Sequence, residues 1–305
     1  MERPYILHMF TPGRQTSPFD INMAADAGYQ IIAPCCEVGL EHVAALTQDA
    51  IFSRGPKGVA RTGIFIGGRD AQLAADMLER AQSAMVKPFV VSLMADPSGA
   101  YTTAAAMVAC VEAALRRRHG QDLDGQRVVV MGGTGPVGRI AGVIAAQAGA
   151  RVYLSSRNGI DAAQEAADRS GQRFGVSLHG LSAGDPDAVR RSVADADVLL
   201  ACAAAGVQAV SKEALGAATR LKVAADVNAV PPQGIAGVGA MDDAAPLVGT
   251  PAVGIGALAI GNVKYQTQHR LLVQMRTAEK AQVLGFAEAF AVARAFLAGQ
   301  AGKTA

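Results

Sequence analysis

Six consecutive residues in the middle of the chain, Gly133, Thr134, Gly135, Pro136, Val137 and Gly138, have the spacing of a turn that cradles an anion. An apolar run from Arg127 to Met131 leads directly into them, and an apolar helical pattern leads out to Gly149. In such a strand–turn–helix the first glycine makes the tight turn. The second lets the backbone approach a pyrophosphate, and the third lets helix and strand pack closely. The N-terminus of the helix adds unpaired N–H groups and the positive end of its dipole. The GxGxxG spacing alone is a weak signal. The strand before it and the helix after it favour a dinucleotide-binding turn over a ligand-free βα turn.

The end of the next strand discriminates between dinucleotides. NAD-selective sites place an acid there for the ribose 2′-hydroxyl. This chain has Ser155, Ser156 and Arg157 after the strand Arg151 to Leu154. A guanidinium is a planar, permanently charged phosphate partner, so NADP is the expected cofactor and NAD remains open. The competing reading makes Arg157 a solvated loop residue.

Other polar residues stand where ligands gather. Lys264, Thr267 and Gln268 fall at i, i+3 and i+4, one face of a helix, beside a very apolar tail. Asp20 is a candidate ligand contact, with a plain first-turn helix acid as the competing reading. Ser98, Thr102 and Thr103 follow a fourth strand, where they can meet a ligand or cap a helix. Asn228, ahead of Pro231 and Pro232, is a candidate cofactor contact or a turn residue. The four cysteines (Cys35, Cys36, Cys110, Cys202) and five histidines show no metal-ligand spacing.

These residues need a scaffold, and the hydrophobic pattern supplies one. Short apolar runs alternate with helical patterns along most of the 305 residues, which argues for parallel sheets in two α/β domains. Strands are expected at Tyr5 to Phe10, Gln30 to Pro34, Thr62 to Gly67 and Pro88 to Met94. Helices are expected at Leu40 to Phe52, Ala71 to Met85 and Thr102 to Arg118. Ser17, Pro18 and Asp20 read as a helix start. The polar turn Gln121 to Gly125 is the expected boundary. Residues 1–120 form an α/β substrate domain, and 121–264 a Rossmann-type parallel-sheet domain. In the latter, further strands fall at Val176 to Leu178, Val198 to Cys202 and Lys222 to Val227. From Gly261 the pattern is helical, with residues 265–305 packing back and a last apolar helix around Ala281 to Leu297.

Charged residues are only 18% of the chain and net charge is +2. The one basic run, Arg116 to Arg118, ends a helix, so nucleic acid is not an expected partner. No signal-peptide pattern or membrane-span run is read in the sequence, and the expected compartment is the cytoplasm. A last helix apolar on nearly every face suggests a homo-oligomer.

Six segments together resemble the NAD(P)-dependent methylene-tetrahydromethanopterin dehydrogenases of methylotrophic one-carbon metabolism. They are Ser17–Asp20 (SPFD), Thr62–Gly68 (TGIFIGG), Thr102–Ala106 (TTAAA), Gly132–Gly138 (GGTGPVG), Asp226–Ile235 (DVNAVPPQGI) and Gly256–Lys264 (GALAIGNVK). The glycine turn is generic, whereas the fifth and sixth segments are specific to the family. The resemblance is closest to the branch that continues Lys264–Gln268 (KYQTQ). It implies a two-domain subunit with a pterin site in the interdomain cleft, and oxidation of methylene-tetrahydromethanopterin to the methenyl cation. Some relatives also accept the tetrahydrofolate form, and branches differ in NAD or NADP preference. The resemblance places Lys264 in the active-site cleft and makes a trimer-based assembly plausible.

Hydride leaves a carbon flanked by two nitrogens, and no proton has to be removed from it. The reaction therefore needs positioning above all. The absence of a motif for a strong base, a metal or a covalent nucleophile fits that requirement. Two alternatives stay open on the residues: another NADP oxidoreductase of shikimate or quinone type, and an NADP-sensing regulatory protein.

Overall fold

The computed structural model describes residues 3–301. It divides into two compact units, Met1–Thr102 with Tyr265–Val292, and Thr103–Lys264 with Ala293–Ala305.

The first unit opens with β1 (Ile6–Phe10), α1 (Pro18–Asp26), β2 (Ile31–Cys35), α2 (Leu40–Phe52), the single turn α3 (Pro56–Val59), β3 (Thr62–Ile66), α4 (Ala71–Ser83) and β4 (Ser92–Ala95). All strand pairs are parallel. β3 is buried at every position, as a strand covered on both faces must be. The start of α1 is as expected: Ser17 Oγ accepts from the Asp20 N–H, and Pro18 opens the first turn. The fourth strand is shorter than the expected Pro88 to Met94. Pro88 has no N–H to donate, and the Phe89 N–H bonds the Val86 carbonyl at 2.7 Å in a tight turn. Ladder pairing therefore begins only at Ser92.

A turn at Pro97–Gly99 leads into α5 (Ala100–His119). Contrary to the sequence reading, Pro97–His119 is long and apolar enough to span a membrane. Its most apolar stretch is 83% buried within the protein, which is the setting of a core helix. The division between units falls inside α5, and the polar turn at 121–125 belongs to the second unit, where Leu123 is buried.

The second unit continues with β5 (Arg127–Met131), α6 (Pro136–Gln147), β6 (Arg151–Ser156), α7 (Ile160–Phe174), β7 (Leu178–Ser182), α8 (Pro186–Ala194), β8 (Val198–Ala201), the short α9 (Lys212–Leu215), β9 (Val223–Asp226), β10 (Asp243–Pro246) and β11 (Val253–Ile255). The third strand of this unit lies at 178–182 rather than 176–178. The sheet order is β10-β11-β9-β8-β5-β6-β7. Six of these strands, in the order β7-β6-β5-β8-β9-β11, form the 3-2-1-4-5-6 Rossmann arrangement, and β10 adds an antiparallel edge. Val129, Met131, Leu199, Ala201 and Ala224 share one apolar cluster with Val193, Leu215 and Leu221. Their alternation along each strand marks a single sheet face.

The returning segment was expected to be helical throughout from Gly261, but it is interrupted. α10 (Ala257–Thr277) starts earlier, so Lys264 lies two turns inside a helix rather than at its start. β12 (Val283–Leu284) then joins β4, and α11 (Phe286–Ala301) follows, starting five residues later than the expected Ala281. The Leu93 N–H donates to the Gln282 carbonyl at 2.7 Å, and the Gln282 N–H to Ser92 Oγ at 3.1 Å. The first sheet thus has the order β12-β4-β3-β1-β2. Read from the other edge it is the 2-1-3-4-5 flavodoxin-like order, with its switch point between β1 and β3.

Candidate functional site

In an open parallel sheet, ligands bind outside the carboxyl ends of the strands, where the strand order reverses. In the second unit that place lies between β5 and β8, and a cavity of about 480 Å³ is found there. Met131, Gly132, Thr134 and Gly135 line it from β5 and its turn, and Ser155, Ser156 and Arg157 from β6. Cys202 and Ala203 line it from the segment after β8.

The glycines of the turn divide by what a side chain would meet. At Gly133 a Cβ would lie 2.8 Å from Leu154 Cα, and at Gly138 2.6 Å from the Gly132 carbonyl oxygen. Both positions are closed by the protein itself. At Gly135 a Cβ would meet only the Gly132 oxygen, at an ordinary 3.4 Å. That position is left open on the cavity side, as a backbone cradle for a pyrophosphate requires. Sequence reasoning passed over Gly132. Its φ of 68° is the left-handed turn itself, and a Cβ there would strike the Ala203 backbone at 2.7 Å. Pro136 occupies the first position of α6, where a missing N–H costs nothing. The free first-turn N–H groups are those of Val137 and Gly138.

The β6 end departs from a simple row of donors. Ser155 is fully buried and its Oγ donates to Met131 Sδ at 3.6 Å. Ser156 Oγ accepts from the Asn158 N–H at 3.1 Å while the residue still lines the cavity. Arg157 is exposed at the cavity wall.

Asn228 is 7% exposed and engaged with the backbone on both sides. Its Oδ1 accepts from the Gly206 and Val230 N–H groups, and its Nδ2 donates to the Pro232 carbonyl at 2.8 Å. It ties the loop after β8 to the loop after β9. Beside it Asp226, which sequence reasoning missed as a site residue, accepts from the Asn228 and Ile235 N–H groups. Burial raises its carboxyl above the usual range against the pull of those N–H groups and that of Gly234. Gly234 is needed because a Cβ there would lie 2.6 Å from Asp226 Oδ1. Burial and the neighbouring Asp226 charge push the Cys202 thiol of the cavity wall up, which favours its protonated form.

In the first unit the polar residues are buried and come from distant parts of the chain. Asp20 is 5% exposed, and Gln268 Nε2 donates to its Oδ1 at 2.7 Å. Asp20 is thus more than a first-turn acid. Thr267 is fully buried beside Gln268 in sequence, whereas Lys264, one turn earlier on α10 and half-buried, is counted with the second unit. Asp96 is completely buried at the end of β4 and was not singled out from sequence. It accepts from the Tyr101 and Thr102 N–H groups and from Thr102 Oγ1 at 2.6 Å. Thr102 is therefore bonded to the cap of its own helix. Ser98, exposed with φ 51°, donates its hydroxyl to the Gly68 carbonyl, so it bridges the ends of β3 and β4. Thr103 is half-buried, at the start of the second unit.

The strand order, the glycine turn and the cleft at the switch point define a Rossmann-type dinucleotide-binding α/β protein. A family model, methylene-tetrahydromethanopterin dehydrogenase, N-terminal, matches residues 18–98. The chain is 48% identical over 288 residues to the NAD(P)-dependent methylenetetrahydromethanopterin dehydrogenase of Methylorubrum extorquens, covering 94% of this chain and 97% of that one. It is 32% identical over 270 residues to the bifunctional protein MdtA of the same organism, covering 88% and 91%. The chain belongs to the methylene-tetrahydromethanopterin dehydrogenase family. Among solved structures, quinate dehydrogenase from Corynebacterium glutamicum in complex with NAD shares the fold, with a TM-score of 0.53 at 14% identity over 97% of this chain and 99% of that one.

Proposed function

We propose that this protein oxidises methylene-tetrahydromethanopterin to the methenyl cation, with NADP or NAD as hydride acceptor. The observation that carries the reading is end-to-end similarity to an enzyme named for that reaction, joined to a glycine cradle left open at Gly135. The bound nicotinamide supplies the hydride acceptor.

The chain's residues bind and orient. Gly133, Thr134, Gly135, Pro136, Val137 and Gly138 hold the pyrophosphate against the start of α6. Ser156 and Arg157 face the ribose end, and the Arg157 charge favours a 2′-phosphate. Ser155 and Asn228 support this site from behind, through Met131 and through the loops after β8 and β9. Asp20, fixed by Gln268, offers carboxylate oxygen to the amide and amine edge of a pterin. Ser98 adds a hydroxyl at the ends of β3 and β4, and Thr102 acts through Asp96. Lys264 orients the substrate. An ammonium does not stabilise a cation forming beside it, and no proton has to leave the reacting carbon, so its work is positioning.

The test is a spectrophotometric assay that crosses tetrahydromethanopterin and tetrahydrofolate methylene forms with NAD and NADP. Reduction with the first pterin is the expected result. Activity only on simple alcohols or enones overturns the reading. We also propose a homo-oligomer in the cytoplasm. α11 leaves Ala287, Ala291 and Ala295 exposed on one chain, and the family resemblance favours a trimer-based assembly. A monomer mass by light scattering at micromolar concentration would contradict it.

A further inference from the structure

The end of β6 carries no acid, but one stands on the loop after the neighbouring strand β7. β6 and β7 pair in parallel, with Ser156 opposite Ser182. The Ala183 N–H donates to the Ser156 carbonyl at 2.8 Å, which clamps the two loops together. A Cβ on Gly184 would lie 3.3 Å from the Arg157 carbonyl, so the 183–185 segment runs directly alongside Arg157. Asp185 follows, and it lines the same cavity as Ser156 and Arg157. One Asp185 oxygen, Oδ1, accepts from the Ala188 N–H at 2.8 Å as the cap of α8. The residue is exposed, so its charge is available to the cavity.

The 2′-substituent of a bound dinucleotide sits at the end of the second Rossmann strand, which here is β6. The guanidinium of Arg157 and the carboxylate of Asp185 belong to two residues that line the cavity at that end. The first attracts a 2′-phosphate. The second repels it, and accepts a hydrogen bond from a 2′-hydroxyl. We propose that Asp185 is a specificity-determining residue, which holds back NADP affinity and keeps NAD usable beside Arg157. This rests on the dinucleotide reading of the cleft.

Asp185→Asn tests it, because Asn caps a helix as well as Asp while removing the charge. Asp185→Ser is the second variant, again with a capping side chain. NADPH and NADH dissociation constants are measured by fluorescence on the intact protein, together with Tm. The expected result is NADPH binding tightened roughly three- to fivefold relative to NADH in both variants, the size of one partly screened charge interaction. The gain should shrink as salt rises. An unchanged NADPH/NADH ratio overturns the proposal, as does equal weakening of both cofactors, which would mark Asp185 as a cap and nothing more. A wild-type protein that binds neither dinucleotide instead overturns the reading of the cleft itself.

Discussion

The carboxyl edges of the two sheets are built differently. At the second sheet the cradle itself is backbone, a glycine turn and the first-turn N–H groups of α6, with the Asp226 and Asn228 side chains bracing the loops beside it. In the first sheet the edge is walled by buried side chains, Asp20 with Gln268 and Asp96 with Thr102. A dinucleotide presents a pyrophosphate that any backbone cradle can hold, whereas a polar ring must be matched group by group. The first edge should therefore fail when a side chain is lost, and the second when a Cβ is gained.

The largest expected effect follows the loss of one side chain, in Lys264→Ala. Turnover should fall on the order of a hundredfold, the size of about 1 Å of substrate misplacement. NADP affinity and Tm should stay near wild type. The measurement is single-turnover NADP reduction with NADP binding alongside. Added amines should not rescue the rate, because hydride transfer releases no proton from the reacting carbon. A variant that reduces NADP at the wild-type rate would remove Lys264 from the site.

Two substitutions in one turn then separate shape from binding at the backbone edge. Gly133→Ala drives a methyl into Leu154 Cα and should cost about 1–3 kcal/mol of stability, as overpacking does. Gly135→Ala meets no such barrier and should fold, with at most about 1 kcal/mol lost at the N-cap, yet bind dinucleotide poorly. If both variants lose stability alike and Gly135→Ala keeps its affinity, the open cradle at Gly135 is wrong.

How much of this contrast the sequence discloses follows from distance along the chain. β5, its glycine turn and α6 are contiguous, so spacing alone exposes them. Ser17, Pro18 and Asp20 disclose α1 for the same reason. The Asp20–Gln268 bond joins residues 248 positions apart, and no local pattern signals it. β12 is two residues long and becomes a strand only because β4 is there to pair with. β10 reads Asp-Ala-Ala-Pro, a poor strand former by composition. Asp96 and Asp226 look like turn acids until burial shows that each organises the backbone around it. A better signal existed for Gly132, since it stands between strand and motif, where the chain must reverse.

A smaller effect is expected at the ribose end. Arg157→Ala should weaken NADP by about 1.5 kcal/mol or somewhat more, the low end for a charge-assisted contact because Arg157 is exposed. NAD binding should barely change. Equal losses for both cofactors would show that the guanidinium does not touch the 2′-phosphate.

The least effect on binding belongs to the opposite, amino edge of the second sheet, which serves as the control. Asp197 precedes β8 and is 4% exposed. Its Oδ2 accepts from the Arg127 N–H at 2.9 Å, while Lys222 Nζ and Arg220 lie 3.4 Å from Oδ1. Burial pushes its carboxyl up, but that N–H and the two cations more than reverse the push, and the net position is below the ordinary carboxylate value. At Asp226, on the cavity edge, burial wins and the net position is above it. The two carboxylates therefore respond to acid with opposite signs. Asp197 prefers the folded state when ionised. Its stabilisation is full above the unfolded-chain value of about 3.9 and is lost as pH falls through its lower folded value. For Asp226 the ionised form disfavours folding, and that penalty lifts as pH falls through its raised value. Asp197→Asn should thus cost about 1–2 kcal/mol at neutral pH, and the gap to wild type should close in acid. Dinucleotide affinity should not change, because no part of Asp197 reaches the cavity. Urea unfolding of both proteins from pH 7 down to pH 3 measures it. A gap that widens in acid, or a loss of NADP binding at neutral pH, would show that the amino edge is not the passive half of this sheet.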